Sequence, residues 1–462
     1  MFSEDLLLTN ETGKKLYNQY AKNLPIIDYH CHLSPKAIYE NKVFEDLGEI
    51  WLSGDHYKWR AMRTFGIDER LITGNSSYEE KFMAFAEIMP KLIGNPIYIW
   101  CALELKRYFD IDEPLSSSNA RQIYEKTKKM IIEKNITPQY FMEKSNVEFI
   151  CTTDDPIDDL NYHIKIKDFR DLKIRVIPAF RPDRALYIEN PSYIDYLNLL
   201  EQSAEMKINS FKELILALEK RLLFFKSLGS MINDNGISEL KWVPYSEEEV
   251  ENVFKKITRG ESISKEEINI YKSAFLAEMA KLYCEYGFVM QLHIGTYRNA
   301  NTKMLNEIGP DTGFDCTDNN ISIKDVGMFL DALNNCGFLP KTILYPLDMN
   351  QFETFAILAA AFCSGTKGLV QLGTPWWFND QIYGIKRQFE SVANLYPVSL
   401  SVGMLTDSRN FSAYPRHELY RRVLCNYFGE LIERHEYFSP EEGIGNIIQD
   451  ICYFNAKEYF GI

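Results

Sequence analysis

Short apolar runs rich in β-branched residues recur along the chain, and most of them end in polar side chains. Stretches with helical spacing of apolar residues separate them. Because a strand that is buried on both faces is apolar throughout, this order predicts an α/β protein with a parallel sheet. The eight runs are Leu24–Leu33, Val147–Pro156, Lys173–Asp183, Gly229–Gly236, Phe288–Gly295, Lys341–Asp348, Gly368–Phe378 and Leu400–Arg409.

Eight strands of this kind favour a closed (β/α)8 barrel of the TIM type, in which catalytic groups lie at the carboxyl ends of the strands. An open, doubly wound sheet is the alternative. No GxGxxG follows the first strand, so a dinucleotide site is not expected.

The strands are unevenly spaced, which predicts three parts: residues 1–34 with the first strand, a helical insertion over 35–145, and the rest of the barrel over 146–462. The last part has a helical excursion at about 237–286. The clearest predicted helices are Tyr78–Met89, Ala120–Ile132, Ser210–Leu228 and Lys265–Tyr286.

Charge and cysteine content narrow the possible partners. The chain of 462 residues carries 65 acidic and 51 basic side chains, a formal net charge of −14, which disfavours nucleic acid and anionic lipid as partners. The longest apolar run, Phe355–Cys363, is too short to span a membrane, and the acidic N-terminus does not resemble a secretory signal. Nine scattered cysteines without a CxxC motif suit a cytoplasmic protein.

His30 and His32 end the first predicted strand. Residues two apart on a strand leave the same face, so two imidazoles there can share one divalent metal. In a closed barrel the last strand neighbours the first, which would bring Asp407 to the same point. The alternatives are buried structural histidines and a helix-capping Asp407.

His293 ends a middle strand and could ligate metal or bind a substrate oxygen as a neutral imidazole. Arg181 and Arg409 also lie at strand ends, and a guanidinium matches a carboxylate. Ion pairs with Asp183 or Asp407 are the alternative for these arginines.

Two further pairs of residues are ambiguous from the sequence. His56 and Tyr57 lie in a loop or helix start of the insertion, where packing is the commoner role. Trp376 and Trp377 could form an aromatic wall against a sugar ring or pack in the core.

The blocks DYHCHLSP, GDHYKWR, ICTTDDP, FRPD, MQLHIG, YRNANT, WWFND and GMLTDSR, in this order, resemble the uronate isomerase (glucuronate isomerase) family. This family is a divergent branch of the amidohydrolase superfamily and has a distorted (β/α)8 barrel. The resemblance implies conversion of D-glucuronate to D-fructuronate, and of D-galacturonate to D-tagaturonate, in hexuronate catabolism.

The resemblance also implies roles for individual residues. His30, His32 and Asp407 match metal ligands, and the metal is expected to be a single divalent ion, zinc by preference; whether turnover requires it stays open. The hypothesis for catalysis is that Asp407 and His56 open the sugar ring, Tyr57 relays a proton and Arg409 stabilises the enediolate. The residues expected to bind substrate are Arg181, His293, Trp376 and Asp234.

The chain departs from the family pattern at Asn235, which replaces a histidine beside Asp234 and puts any role of that histidine in doubt. The fourth strand ends without the lysine that bridges two metals in most amidohydrolases, and the sixth without a histidine. The preference between the two uronates and the formation of a homo-oligomer stay open.

Two other functions compete with isomerisation. A metal-dependent hydrolase on the same barrel would use a metal-activated water. A sugar-acid binding protein would not need so many titratable groups at strand ends.

Overall fold

A curved parallel sheet forms the centre of the computed structural model, which describes residues 3–363 and 365–462. Its seven strands are hydrogen-bonded in the order β1-β2-β3-β4-β5-β8-β9, and every pair is parallel. The strands are β1 Ile26–Asp28, β2 Val147–Asp154, β3 Arg175–Phe180, β4 Ile232–Ile237, β5 Val289–Ile294, β8 Thr342–Pro346 and β9 Val370–Leu372. The α/β class and the parallel sheet predicted above are therefore confirmed.

Leu400–Arg409 does not form the regular strand that its apolar pattern predicts. Gly403 and Asp407 have φ angles of +76° and +47°, in the left-handed region, which interrupts an extended chain. Backbone hydrogen bonds still join this segment to the residues after β1, from Asp407 N–H to the His30 carbonyl and from His32 N–H to the Ser408 carbonyl. The segment therefore lies beside β1 without continuing the ladder.

Alternate side chains of the strands point into the space that the sheet encloses and form an apolar core there. Ile27, Phe149, Ile177 and Ile343 belong to it, and Leu405 of the irregular segment packs with them. Two larger clusters fill the space between the strands and the surrounding helices. This two-sided burial explains why the strand sequences are apolar throughout.

All of residues 35–144 are described, and they form helices and turns without a strand. Apolar residues of these helices share a cluster with Tyr420, Leu424 and Phe428 near the C-terminus, so the interval packs directly against the rest of the chain. Its helices are α2 Pro35–Glu40, α3 Leu47–Leu52, α4 His56–Thr64, α5 Tyr78–Ile88, α6 Pro96–Phe109, α7 Ala120–Glu133 and α8 Pro138–Lys144, with 3-10 turns at Glu69–Leu71 and Met89–Lys91.

The remaining helices precede β1 or alternate with the later strands. The two helices of the 237–286 interval have Ser246 and Ser264 as N-cap residues, each in a capping box, as a Ser-x-x-Glu pattern predicts. These helices are α1 Glu11–Leu16, α9 Asn161–Asp168, α10 Asp183–Leu186, α11 Tyr193–Ala204, α12 Phe211–Ser227, α13 Glu247–Thr258, α14 Lys265–Tyr286, α15 Thr302–Ile308, α16 Ile323–Asn335, α17 Phe352–Ala361, α18 Ile382–Val392, α19 Pro415–Glu433, α20 Glu441–Gln449 and α21 Asn455–Phe460. Shorter 3-10 and π-helical turns lie at Tyr17–Ala21, Met349–Gln351, Val398–Leu400, Phe411–Ala413 and Asp450–Phe454.

A small two-stranded sheet lies between β5 and α16, and the sequence pattern does not predict it. Its two strands, β6 Thr296–Tyr297 and β7 Cys316–Thr317, pair antiparallel. Among the described residues, no helix combines the length and apolar character needed to cross a lipid bilayer.

Candidate active site and metal centre

Two histidines and one aspartate converge where the first strand meets the irregular segment. The Nε2 atoms of His30 and His32 each lie 3.1 Å from the same oxygen, Oδ1 of Asp407. Regular strand geometry ends at Asp28, so the histidines lie just after β1 and not within it. The structure nevertheless brings all three predicted metal ligands to one point.

The residue before Asp407, Thr406, is anchored to a buried carboxylate. The carboxylate of Asp28, fully buried under the site, accepts the N–H of Thr406 at 2.7 Å and also the hydroxyl of Thr406. Burial raises the pKa of Asp407, but hydrogen bonds and charge from His30 and His32 outweigh it, so its pKa lies well below the usual range. Asp407 is therefore ionised at neutral pH.

A second carboxylate, Asp234 on β4, lies behind the first and is fully buried. Its oxygens lie 3.4 Å from His30 Nδ1, 3.0 Å from His293 Nδ1 and 3.4 Å from Arg181 Nη1. Burial opposes ionisation, but the positive charge of Arg181 and the two imidazoles outweigh it and hold the pKa of Asp234 far below its usual range. We call His30, His32, Arg181, Asp234, His293 and Asp407 the strand-end cluster.

Arg181 has a second acidic partner, because its Nε lies 2.8 Å from Asp183 Oδ2. Asp183 also accepts the backbone N–H of Gly236 and, at 3.2 Å, the side-chain amide of Asn235. The ion pair that was the alternative interpretation of Arg181 is thus present, and Asn235 supports that pair.

Trp376 covers the inner face of the strand-end cluster. Its ring stacks on His293 with centroids 4.2 Å apart and planes 18° apart, and it is buried. Trp377 is buried beside it and makes an edge contact with His56 at 6.0 Å. The two tryptophans therefore connect the cluster to helix α4.

His56 and Tyr57 occupy the first turn of α4. Asp55 caps this helix by accepting the N–H groups of Tyr57 and Lys58, and its carboxylate pairs with the Lys58 ammonium. Burial, followed by the positive charge of Arg409, lowers the pKa of His56 to about 4. His56 is therefore a neutral imidazole at physiological pH.

Two residues that sequence reasoning missed surround Tyr57. The phenol donates a hydrogen bond to Asp380 at 2.8 Å, and Asp380 pairs with Arg416 at 3.1 Å. Asp380 ends the WWFND block, so a systematic reading of the acids in that block would have flagged it; Arg416 carries no signal in the sequence. We call His56, Tyr57, Asp380 and Arg416 the α4 group.

Arg409 follows Asp407 by two residues and is partly exposed. Its nearest acidic partner is Asp311 at 3.8 Å, in the loop between β6 and β7, and not Asp407 as the alternative interpretation would have it. The side chain is therefore weakly held compared with Arg181.

The first convergent set fits a divalent cation. The donor atoms of His30, His32 and Asp407 lie within 4.8 Å of one another, and two imidazoles with one carboxylate are a common donor set for zinc. Asp234 faces the other nitrogen of His30, an arrangement that orients ligating histidines. These three residues could therefore hold the metal.

His30, Asp234 and His293 form a second convergent set, but it fits a cation less well. Arg181 lies 3.4 Å from Asp234 and already supplies the positive charge there. The first set is therefore the better candidate for holding a single ion.

The remaining histidines lie outside the site. The His163 ring lies 2.8 Å from the Thr152 hydroxyl, His417 is buried in α19, and His435 is exposed after that helix.

Known proteins resemble this chain over almost its whole length. The family model described as glucuronate isomerase matches residues 1–460. The chain belongs to this family. It is 48% identical to the uronate isomerase of Caldicellulosiruptor bescii over 459 residues, which cover 99% of this chain and 98% of that protein.

Two solved structures resemble this family member over its full length. The uronate isomerase of Thermotoga maritima has a TM-score of 0.94 at 34% identity, with both chains covered completely. The glucuronate isomerase of Caulobacter crescentus has a TM-score of 0.93 at 25% identity, covering 100% of this chain and 97% of its own. The resemblance inferred from the sequence motifs is confirmed.

Proposed function

We propose that this member of the family is an isomerase that converts D-glucuronate to D-fructuronate, and D-galacturonate to D-tagaturonate, in hexuronate catabolism. The observation that carries the proposal is the convergence of His30, His32 and Asp407 beside Arg181, in a chain of this family. An arginine at that point suits a substrate that carries a carboxylate.

The reaction moves a hydrogen from C2 to C1 of the open-chain sugar acid through a cis-enediol. The C2–H becomes acidic only when the C1 carbonyl is polarised, so the site needs a base near C2 and positive charge near the developing enediolate. The site offers both kinds of group.

Asp407 and His56 are the proposed acid–base pair for opening the sugar ring. Asp407 is ionised and can accept a proton, whereas the lowered pKa of His56 keeps its imidazole neutral. A neutral imidazole can accept at one nitrogen and donate at the other, which suits ring opening.

Tyr57 is proposed to relay protons during isomerisation, and Arg409 to stabilise the enediolate oxygens. The partial exposure of Arg409 and its long contact with Asp311 leave its guanidinium available to a ligand.

Arg181, His293, Trp376 and Asp234 are proposed to bind substrate. The Nε and Nη1 atoms of Arg181 face Asp183 and Asp234, so Nη2 is left for a substrate oxygen. Asp234 keeps Arg181 and His293 oriented, and Trp376 restricts His293 from one face.

His30, His32 and Asp407 would hold one divalent metal, which we propose is zinc. When bound, this ion would supply positive charge that polarises substrate oxygens. The metal requirement for turnover is part of the test below.

A hydrolase is the less favoured function. β4 ends in Asn235-Gly236-Ile237 without a lysine, and β8 ends in Tyr345-Pro346 without a histidine. The comparisons give the hydrolase alternative no support.

We also propose that Leu400–Arg409 stands in the place of an eighth strand, so that the whole is a distorted (β/α)8 barrel. Residues 1–34, 35–145 and 146–462 are then the N-terminal segment with the first strand, the helical insertion and the rest of the barrel. The nine cysteines are all free thiols, which supports a cytoplasmic location. A homo-oligomer is compatible with the proposal, while nucleic acid and membrane partners are not expected.

NMR of glucuronate turnover, with and without a chelator, tests reaction class and metal dependence together. The expected product is the ketose, and retention of activity after verified metal removal would show that the metal is dispensable. Absence of ketose from metal-loaded enzyme, with lactone or amide hydrolysis in its place, would overturn the proposal.

A further inference from the structure

The hydrogen bonds of Tyr57 restrict what its hydroxyl can do. The phenol donates its hydrogen to Asp380 Oδ1 at 2.8 Å and accepts the backbone N–H of Phe378 at 2.8 Å. A tyrosine hydroxyl has one hydrogen and two lone pairs. The hydrogen and one lone pair are therefore used, and a single lone pair remains for a ligand.

Asp380 is set firmly behind the phenol. It is only 1% exposed, and its second oxygen accepts Arg416 Nη1 at 3.1 Å. The Arg416 guanidinium lies over the ring of Trp100 at 4.0 Å and near that of Tyr57 at 5.4 Å. A buried carboxylate needs such a partner, because an unpaired charge in the interior is costly.

Arg416 also joins this arrangement to the strand-end cluster. Its Nη1 donates to the carbonyl of Thr406 at 3.1 Å, one residue before Asp407. The position of Tyr57 is thus fixed relative to Asp407 by groups that are all buried.

We propose that Asp380 is a positioning residue for the isomerisation, which fixes the phenolic hydrogen of Tyr57 away from the sugar so that Tyr57 meets the substrate as a proton acceptor. This inference rests on the proposed function. It assigns the direction of the relay and the group that receives the proton.

The substrate, Tyr57 and Asp380 together account for every proton that moves. The C2–H bond breaks as its proton passes to Tyr57 Oη and the phenol passes its own proton to Asp380 Oδ1, which leaves the cis-enediolate, a neutral phenol and a neutral carboxylic acid. The hydroxyl proton of the cis-enediolate moves from the C2 oxygen to the C1 oxygen. Tyr57 then returns a proton to C1 as Asp380 gives its proton back to the phenol, which forms the ketose and restores the Asp380 carboxylate. No further reactant is needed.

The surroundings of Asp380 suit temporary storage of a proton. Burial raises the pKa of Asp380 to about 6, although the charge of Arg416 and the hydrogen bond from Tyr57 oppose this. Burial also raises the pKa of Tyr57 well above its usual range, so the phenol does not remain ionised between the two transfers.

A double-mutant cycle of Asp380→Asn and Tyr57→Phe tests the inference, with ketose formation and thermal unfolding measured for each variant. Asparagine keeps the shape of Asp380 but cannot store the proton. We expect Asp380→Asn to lower kcat about 100-fold with KM within about threefold, at the lower end of general acid–base effects. Because Asp380 acts through Tyr57, adding Asp380→Asn to Tyr57→Phe should lower kcat no further.

Glu104→Gln is the matched control, since Glu104 is also a buried carboxyl but contacts Trp51 and Ser412 and not Tyr57. It should lower stability and leave kcat within about twofold of wild type. Asp380→Asn together with Arg416→Met removes both buried charges and serves if the single variant does not fold.

The outcomes separate the inference from the proposed function. A folded Asp380 variant with kcat within twofold of wild type, or effects of Asp380→Asn and Tyr57→Phe that multiply, would overturn the role of Asp380. Wild-type enzyme that forms no ketose would instead overturn the proposed function.

Discussion

The strand-end cluster and the α4 group differ in whether burial or neighbouring charge controls the pKa values of their titratable groups. In the strand-end cluster, Arg181 and the imidazoles outweigh burial, so the pKa values of Asp234 and Asp407 fall below their usual range. In the α4 group burial prevails: the pKa of His56 falls to about 4 and that of Asp380 rises to about 6.

The two regions therefore suit different tasks. Carboxylates locked in the ionised state can hold cations and orient arginines. Groups that burial drives toward neutrality can accept and return protons near neutral pH. Asp407 belongs to the first region, but its charge also acts on His56 and Tyr57 of the second. The comparison therefore depends most on this residue.

Substitution of Asp407 should have the largest effect. Asp407→Asn removes the ionised acceptor without changing its shape, so we expect turnover to fall about 10⁴-fold, the upper end for acid–base groups. Substrate affinity, measured by calorimetry, should be largely retained. Turnover near the wild-type rate would contradict the role of Asp407.

Asp234→Asn should have the next largest effect. We expect it to lower the free energy of unfolding by about 3–5 kcal/mol, because it leaves Arg181 buried without one of its carboxylates. The pKa of Asp234 is lowered in the folded state, so its contribution is complete above the unfolded value of about 3.9 and is lost as pH falls. Urea unfolding should therefore show that the stability of the variant falls less than that of the wild type as the pH is lowered.

Asp325→Asn provides the control for that measurement. Asp325 is also buried, but its cationic partner Lys241 is 63% exposed, so the loss of stability should be smaller. Equal losses of stability in the two variants would show that the buried partner of Asp234 makes no difference to its contribution.

Arg409→Lys should lower kcat about 10²- to 10³-fold, because an ammonium cannot reproduce the two-pronged donor geometry toward the enediolate. Steady-state kinetics would measure this effect. Arg434→Lys, at an exposed ion pair with Glu436, should leave kcat unchanged. An equally small effect of both substitutions would place Arg409 outside the site.

The smallest effect concerns the titration of His56. In ¹³C-labelled histidine NMR, the resonance that disappears in His56→Asn should titrate at about pH 4. Arg409→Gln should raise this midpoint toward the ordinary value of about 6.5, because it removes a positive charge that opposes imidazolium. A wild-type midpoint near 6.5 would show that His56 does not belong with the buried, neutral groups.

The sequence determined much of the fold and of the strand-end cluster. Apolar runs predicted the parallel strands, because burial on both faces leaves no polar positions. His30, His32 and His293 were recognisable because each lies near the carboxyl end of a strand, and parallel strands bring these ends together. Asp234, which lies within β4, was inferred from the family resemblance.

The remaining contacts depend on how distant parts of the chain pack together. The partnership of Tyr57 with Asp380 and Arg416 joins positions 323 residues apart or more, and no local pattern encodes such contacts. Asp407, in the left-handed conformation, likewise follows a long-range contact, since the buried Asp28 carboxylate accepts the N–H of Thr406 from 378 residues away. Periodicity reports which side of an element is buried, whereas the pairing of charges depends on which elements pack together, and that is fixed only in the folded chain.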